Sequence, residues 1–407
     1  GVAALEALFA QGKEAIAAKR FCDAETLLAE SLPSLDTHAA LLEEGLYFLA
    51  VAQRYQKKHR EALATLAQLH TRAPTHGRGF QEEGHNFKAL GDRDAALTAY
   101  AWACHYNPAL EASYRGQLLA LQGMNRPQAV AQVEAQLKQL LAQPKPLVAV
   151  VDLISQGKLI KAEELCRQIL QRNPALPEAM RLLADIGTRL GALDDADTLL
   201  ASAHELAPSN VQIHIDYIQT LRKRQRFAEA RSQAQALLAS GPDNPQFISL
   251  AAVESMQSGD FDEALNLFNK VLDKLPEDFI TLTSVGHAEK TRGNYSAAVE
   301  AYHRALASNP NHGEAYYSLA NLKVYEFSER EVEAMIAAVE HSRLPPNDKV
   351  YMSFALGKAF EDRERYAESF SYYDKGNALK KAQSRYRAEA MTEDLAAQKS
   401  ACTAELF

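Results

Sequence analysis

Thr291-Arg292-Gly293-Asn294-Tyr295-Ser296-Ala297-Ala298-Val299-Glu300-Ala301-Tyr302-His303-Arg304-Ala305-Leu306-Ala307-Ser308-Asn309-Pro310 is one copy of a phrase that recurs every 34 residues. In phase with Gly293 stand Gly157, Gly191, Gln225 and Gly259. In phase with Ala298 stand Ala162, Ala196, Ala230 and Ala264. In phase with Pro310 stand Pro174, Pro208, Pro242 and Pro276. Three residue types sharing one register over five copies exclude coincidence. A period of this length marks a helix-turn-helix array in which each unit buries its apolar face against the next.

Each residue of the phrase has a mechanical role. Glycine ends the first helix, because it accepts the left-handed conformation of a helix C-cap. Leu159, Leu193, Phe227, Phe261 and Tyr295 follow two positions on and plug the junction between paired helices. Alanine lies where the helices approach most closely; a larger side chain would overpack the contact by about 1–3 kcal/mol. Proline lacks the N–H that a continuing helix needs and so stops the second helix.

Leu282, Val285-Gly286, Gly293, Tyr295, Ala298, Tyr302, Ala305 and Pro310 together resemble the tetratricopeptide repeat. Gly84, Gly91, Ala96, Tyr100, Ala103 and Pro108 repeat the pattern upstream. The resemblance implies an all-α, right-handed solenoid superhelix of about eleven helix pairs, at 5–38, 43–76, 77–110, 111–142, 143–176, 177–210, 211–244, 245–278, 279–312, 313–349 and 350–383. Regularity divides the chain into divergent repeats over 1–142, a regular array over 143–312 and an irregular part over 313–407. The fourth copy carries Asn125 at the glycine position and Pro127 at the start of its second helix, which a first turn tolerates. Gln143-Pro144-Lys145-Pro146 is expected to make a bend or a rigid-body boundary.

Bulk properties exclude several classes. A net charge of −8 argues against general nucleic-acid binding, which leans on surplus Lys and Arg. The most apolar run, Leu147–Ile154, contains Asp152 and falls far short of the roughly 20 residues of a membrane span. Cys22, Cys104, Cys166 and Cys402 have neither zinc nor redox spacing and read as free thiols, which favours a reducing, cytoplasmic setting. The chain begins at Gly1 rather than Met, so a preceding segment is expected. No phosphate loop, His-Glu-x-x-His, Gly-x-Ser-x-Gly or paired-cysteine motif occurs, and nothing calls for a cofactor or metal. Asn294-Tyr295-Ser296 is a formal glycosylation triplet on a turn.

The resemblance implies a concave groove lined by first helices. Its twelfth and thirteenth positions hold Arg54, Lys88, Arg189, Arg222, Lys223 and Lys290, its fifth holds Arg181, and His287 also faces it. This basic stretch suits an acidic peptide or other anion; the competing reading is a solvated helix face that Glu178 and Asp185 partly neutralise. Farther on the groove turns aromatic, with Tyr317, Asn321, Val324, Tyr325, Tyr351 and Phe354, either a peptide site or an interface or core packing. Asn321 stands at a ninth position with Tyr317 at the fifth, so the Lys/Asn clamp of chaperone-adaptor relatives is not reproduced. The asparagine ladder of glycosyltransferase-linked relatives is also missing.

After Leu319-Ala320 the phrase breaks, and a helix is expected from Glu329 to Ser342. Phe354-Ala355-Leu356-Gly357-Lys358-Ala359-Phe360-Glu361-Asp362, then Tyr373-Asp374-Lys375-Gly376-Asn377-Ala378-Leu379, is similar to the segment joining repeats to the enzyme domain in bacterial repeat-containing sulfotransferases. That resemblance, over roughly 313–407, implies a non-catalytic acceptor-recognition arm whose catalytic domain would follow Phe407. The alternative is a stand-alone scaffold of a pilus, secretion or polysaccharide-export complex.

Overall fold

The computed structural model describes residues 2–34, 39–341, 343–384 and 388–402, and within these every regular element is helical. Packing divides the chain into two compact units, Gly1–Arg226 and Phe227–Phe407. The first holds α1 (Val2–Ala17), α2 (Phe21–Ser31), α3 (Ala39–Tyr55), α4 (His59–Arg72), α5 (Gly77–Ala89), α6 (Arg93–Tyr106), α7 (Glu111–Leu121), α8 (Pro127–Ala142), α9 (Lys145–Ser155), α10 (Leu159–Arg172), α11 (Pro177–Leu190), α12 (Leu193–Leu206) and α13 (Val211–Lys223). The second holds α14 (Phe227–Ser240), α15 (Pro245–Gln257), α16 (Phe261–Lys274), α17 (Phe279–Thr291), α18 (Tyr295–Ser308), α19 (Gly313–Ala320), α20 (Glu329–His341), α21 (Pro346–Asp362), α22 (Tyr366–Gln383) and α23 (Ala388–Ala401). These are the eleven helix pairs of the register, followed by α23; the seventh pair places α13 in one unit and α14 in the other. The fold class is the all-α helix-pair solenoid. The helix expected to reach Ser342 ends at His341; Ser342 lies outside the described residues.

The repeated residues explain the boundaries. α10, α12, α14, α16 and α18 all stop two residues before their proline. The intervening residue has left the helical region: Asn173, Ala207, Leu275 and Asn309 have φ between −138° and −131° with positive ψ. A residue before proline is disfavoured in the α region, so termination begins one residue earlier than the proline's own missing N–H requires. The first helices end on the left-handed residue, as at Gly191 with φ +87°. Gln225 adopts the same conformation at φ +60° without glycine's freedom. The starts of α13, α15 and α17 also follow the period: Asn210, Asn244 and Asp278 each accept an N–H bond from the first turn.

Ala162, Ala196, Ala230, Ala264 and Ala298 are all 0 % exposed, as close helix approach demands. The plug residues are less uniform. Leu159 is buried, but Tyr295 is 49 % exposed; its phenol lets an amphipathic ring keep one end in water.

Two irregularities matter for the grooves. In the first unit, repeats that are not neighbours touch: Asp152 of α9 accepts bonds from Arg78 Nη2 of α5 (2.6 Å) and Asn107 Nδ2 (2.8 Å). The fourth repeat between them buries little of its second helix, with Val133 and Leu137 the buried residues of α8. In the second unit, α19 spans only 8 residues. The chain then turns through Lys323, at φ +62°, and buries Phe327. A capping box starts α20: Ser328 Oγ accepts the Glu331 N–H, while Glu331 Oε2 accepts the Ser328 N–H at 2.8 Å. One continuous core runs from Leu272 through Tyr302, Tyr316, Met335 and Met352 to Phe360.

Candidate partner-binding grooves

In the first unit, helix α11 sets Arg181, Asp185 and Arg189 one turn apart on one face, and all three line a cavity of about 570 Å³. Val151, Ile154 and Ser155 of α9 line it too, so first helices of successive repeats share one groove, as the register implies. The cations are not bare. Arg181 donates to Glu178 Oε1 at 2.6 Å and to Asp216 Oδ2 at 3.1 Å. Burial opposes its charge, but these two carboxylates outweigh burial and raise its pKa. Arg189 Nε lies 3.2 Å from Asp185 Oδ1. Exposed Lys223 borders a smaller hollow of about 200 Å³ with Arg181, Asp185 and Asp216, and Arg222 is half-buried on the same helix. Arg181 and Arg189 are thus paired with carboxylates, Glu178 and Asp185 among them, while Lys223 stands exposed beside them.

In the second unit, His287 is fixed from both sides. Its Nδ1 lies 2.9 Å from the Tyr302 hydroxyl and its Nε2 3.2 Å from Glu314 Oε1. That bond to His287 leads the causes holding the Glu314 carboxyl below its usual value. Tyr302 is wholly buried because Gly286 makes room: a Cβ there would stand 2.3 Å from the ring. The first unit repeats the device with Gly84, His85 and Tyr100, where His85 Nδ1 is 2.7 Å from the Tyr100 hydroxyl. Lys290, one turn beyond His287 on α17, makes no ion pair among the described residues.

The aromatic group is partly assembled. Tyr317 packs its ring 5.2 Å from Tyr351 and 6.2 Å from Phe354, and Phe354 lies 6.4 Å from Tyr373. All four are half-buried. Asn321 is exposed at the C-cap of α19. Tyr325 goes elsewhere: its hydroxyl donates to Glu331 at 2.6 Å and meets His303 Nε2 at 2.8 Å, on the side of the second helix α18. The short α19 takes residue 325 out of the first-helix register altogether.

Sequence reasoning missed the groups that anchor these walls. Asp348 accepts the Gly313 N–H at 2.9 Å, and a Cβ on Gly313 would strike the Asp348 carbonyl oxygen at 2.4 Å. Buried His312 pairs with Thr283 at 3.0 Å, and burial lowers its pKa. On the 570 Å³ groove, Gln136 and Gln139 of α8 and Gln143 just beyond its end form part of the lining. A second helix of an ordinary repeat is not expected to face the groove, so the register gave no signal for them. The four cysteines are unpaired; burial pushes the Cys166 thiol up to about 11. Among the described residues no helix is long and apolar enough to cross a membrane.

The fold defines the class: an all-α helix-pair repeat protein. Part of this repeat array matches tetratricopeptide repeat models. The family model described as the cytochrome c-type biogenesis protein H TPR domain matches residues 164–279, and a tetratricopeptide repeat model matches 286–322. Cellulose synthase operon protein C of Pseudomonas fluorescens is 27% identical over 176 residues, covering 41% of this chain and 14% of that protein. Anaphase-promoting complex subunit 3 of Schizosaccharomyces pombe is 22% identical over 241 residues, covering 57% of this chain and 36% of that protein. The chain thus spans about a third or less of the length of these curated relatives. Among solved structures, MamA 41-end from Desulfovibrio magneticus RS-1 aligns at 14% identity with a TM-score of 0.37, over 42% of this chain and 98% of that one.

Proposed function

We propose that this chain is a non-catalytic recognition scaffold that holds an extended peptide, or an extended segment of a partner protein, against its first helices. The observation that carries this reading is the 570 Å³ groove, to which α9 and α11 of successive repeats both contribute side chains. Its volume lies within the about 300–1,000 Å³ usual for ligand sites. A net charge of −8 and arginines already paired with carboxylates disfavour nucleic acid as the occupant. Within the second unit, the half-buried Tyr317, Tyr351 and Phe354 form a separate aromatic group suited to apolar side chains. Selection from a random-peptide display library on the intact chain tests the proposal. Peptides that bind saturably and compete with one another support it; an empty selection removes it.

A scaffold of polysaccharide export is the setting that the cellulose synthase operon relative favours. The sulfotransferase-arm setting rests on the segment from Phe354 to Leu379. Packing accounts for several of its residues: Gly357 accommodates the Tyr373 ring and Gly376 the Phe354 ring, where a Cβ would stand 2.7 Å and 2.9 Å away. An open reading frame that continues past Phe407 into a Pro-Arg-Ser-Gly-Thr loop, with sulfate transfer to peptides, would establish the arm. A frame continuing into other sequence within a polysaccharide-synthesis operon would establish the scaffold.

A further inference from the structure

In the second unit the first turns of α19 and α21 meet. The Gly313 N–H donates to Asp348 Oδ1 at 2.9 Å, and the backbones approach so closely that only a glycine fits at 313. Glu314 follows directly on α19, so the contact sets two carboxylates near each other. Burial raises the Asp348 carboxyl; the Gly313 N–H and His312 offset part of the rise, and the Glu314 charge adds to it. Both residues are half-buried. Among the described residues neither carboxylate forms an ion pair with a lysine or arginine: Glu314 meets His287, and Asp348 holds the Gly313 N–H.

Three residues beyond each carboxylate stands a tyrosine, Tyr317 on α19 and Tyr351 on α21, and that spacing keeps each pair on one helix face. The Tyr317 ring lies 5.2 Å from Tyr351 and 6.2 Å from Phe354. All three rings are half-buried, so each keeps an open surface. Burial raises the Tyr351 hydroxyl, and Glu314 and Asp348 both add to that rise, so both charges act on the aromatic group. Glu314 and Tyr317 occupy the second and fifth positions of their repeat, and Tyr351 and Phe354 the same positions of the next, all on the face that the register assigns to the groove. An aromatic surface is thus bordered by two negative charges that no lysine or arginine of the unit balances.

Charge complementarity selects the occupant. Ring faces are negative and attract a cation placed over them. A guanidinium stacks on such faces, matches carboxylate oxygens with its planar fork of donors and gives up water more readily than an ammonium does. Its three-methylene stem covers apolar surface. We infer that Glu314, Asp348, Tyr317, Tyr351 and Phe354 form a side-chain site for an arginine of the bound partner, with the guanidinium at the carboxylates and the stem on the rings. The inference rests on the peptide-recognition reading and gives the partner a basic residue, opposite in charge to the acidic peptide that the groove cations suggested.

The experiment selects random display peptides on the intact native chain and measures the tightest by titration calorimetry. The chain variant Glu314→Gln/Asp348→Asn removes both charges at nearly constant shape, and thermal melts verify that it folds. Native-selected peptides are expected to share an arginine. Replacing that arginine by citrulline, its neutral isostere, is expected to weaken binding to the native chain by about tenfold, and to cost little against the double variant. Tyr317→Leu, which keeps both carboxylates, is expected to weaken the arginine peptide by about threefold. Peptides without a shared arginine, or equal binding to native chain and double variant, overturn the site while peptide recognition stands. An equal citrulline penalty on native chain and double variant places the arginine elsewhere and also overturns the site. Selection of no peptide overturns the site and the recognition reading together.

Discussion

Arg78 and Asp152 are 74 residues apart in sequence and 2.6 Å apart in the fold. In a repeat array each unit ordinarily touches only its neighbours. Here the start of α5 reaches α9 past the whole of α7 and α8, and Asn107 joins at 2.8 Å. The irregular fourth repeat is stepped over, and it lines the groove with Tyr114 of α7 as well as with residues of α8.

Asp152→Ala is expected to destabilise the first unit by about 1.5–3 kcal/mol, the scale of hydrogen bonds to a charged group. Burial alone would raise the Asp152 pKa, but the bonds from Asn107 and Arg78 outweigh it and hold the carboxyl below its ordinary 3.8. The stabilisation is therefore complete above the unfolded-state value and is lost as pH falls through the lower folded value. Thermal melts of the native and variant chains should differ at pH 7 and converge towards pH 3. An equal difference at both would refute the assignment.

Arg181 and Lys290 should separate structure from recognition. Arg181→Ala leaves Glu178 and Asp216 without their shared partner, and a loss of about 1–3 kcal/mol is expected in chemical denaturation. Lys290→Ala, which removes no ion pair, should stay within about 0.5 kcal/mol of the native chain. Equal stability of the two variants would mean that the Arg181 network contributes nothing.

Gln225→Gly should stabilise the chain by about 0.5–1 kcal/mol. Left-handed geometry costs a non-glycine residue about 1–2 kcal/mol, and glycine's extra unfolded-state entropy returns part of that gain. The reverse change at the matching position, Gly293→Gln, should lower the melting temperature. A fall for both would show that the turn's side chain matters more than its backbone.

Gly286→Ala places a methyl 2.3 Å from the Tyr302 ring. A loss of about 1–3 kcal/mol follows from overpacking, with release of the His287–Tyr302 hydrogen bond. Nuclear magnetic resonance of His287 would report that release directly. An unchanged imidazole signal would show that the ring moves without breaking the pair.

The parts that were legible in sequence are those that repeat. Glycine, alanine and proline in one register marked the turns and closest contacts of five repeats, because each acts within its own repeat or on the next, and the family resemblance extended the count to eleven helix pairs. Arg78 and Asp152 carry no such signal: neither recurs with the period, and their meeting depends on how much turn the intervening repeat adds. Tyr325 was assigned to the groove by counting from Gly313, and the count failed once α19 stopped after one short run. The Arg181 network was half visible through Glu178, three residues away on the same helix; Asp216 belongs to the next repeat. Gln136 and Gln139 were invisible because the register assigns second helices to the outside.

The core that runs unbroken from Leu272 to Phe360 sets an order of events during folding. In quasi-one-dimensional arrays assembly starts wherever local stability is highest and spreads outward. Contacts in this core join sequential neighbours, so little loop closure delays them. The Arg78–Asp152 bridge must wait for the ends of a 74-residue span to meet. Pulse-labelled hydrogen exchange should find amides of α17 and α18 protected before those at the start of α9; protection in the opposite order would place the nucleus in the first unit. The half of the chain that carries the 570 Å³ groove is thus expected to close last.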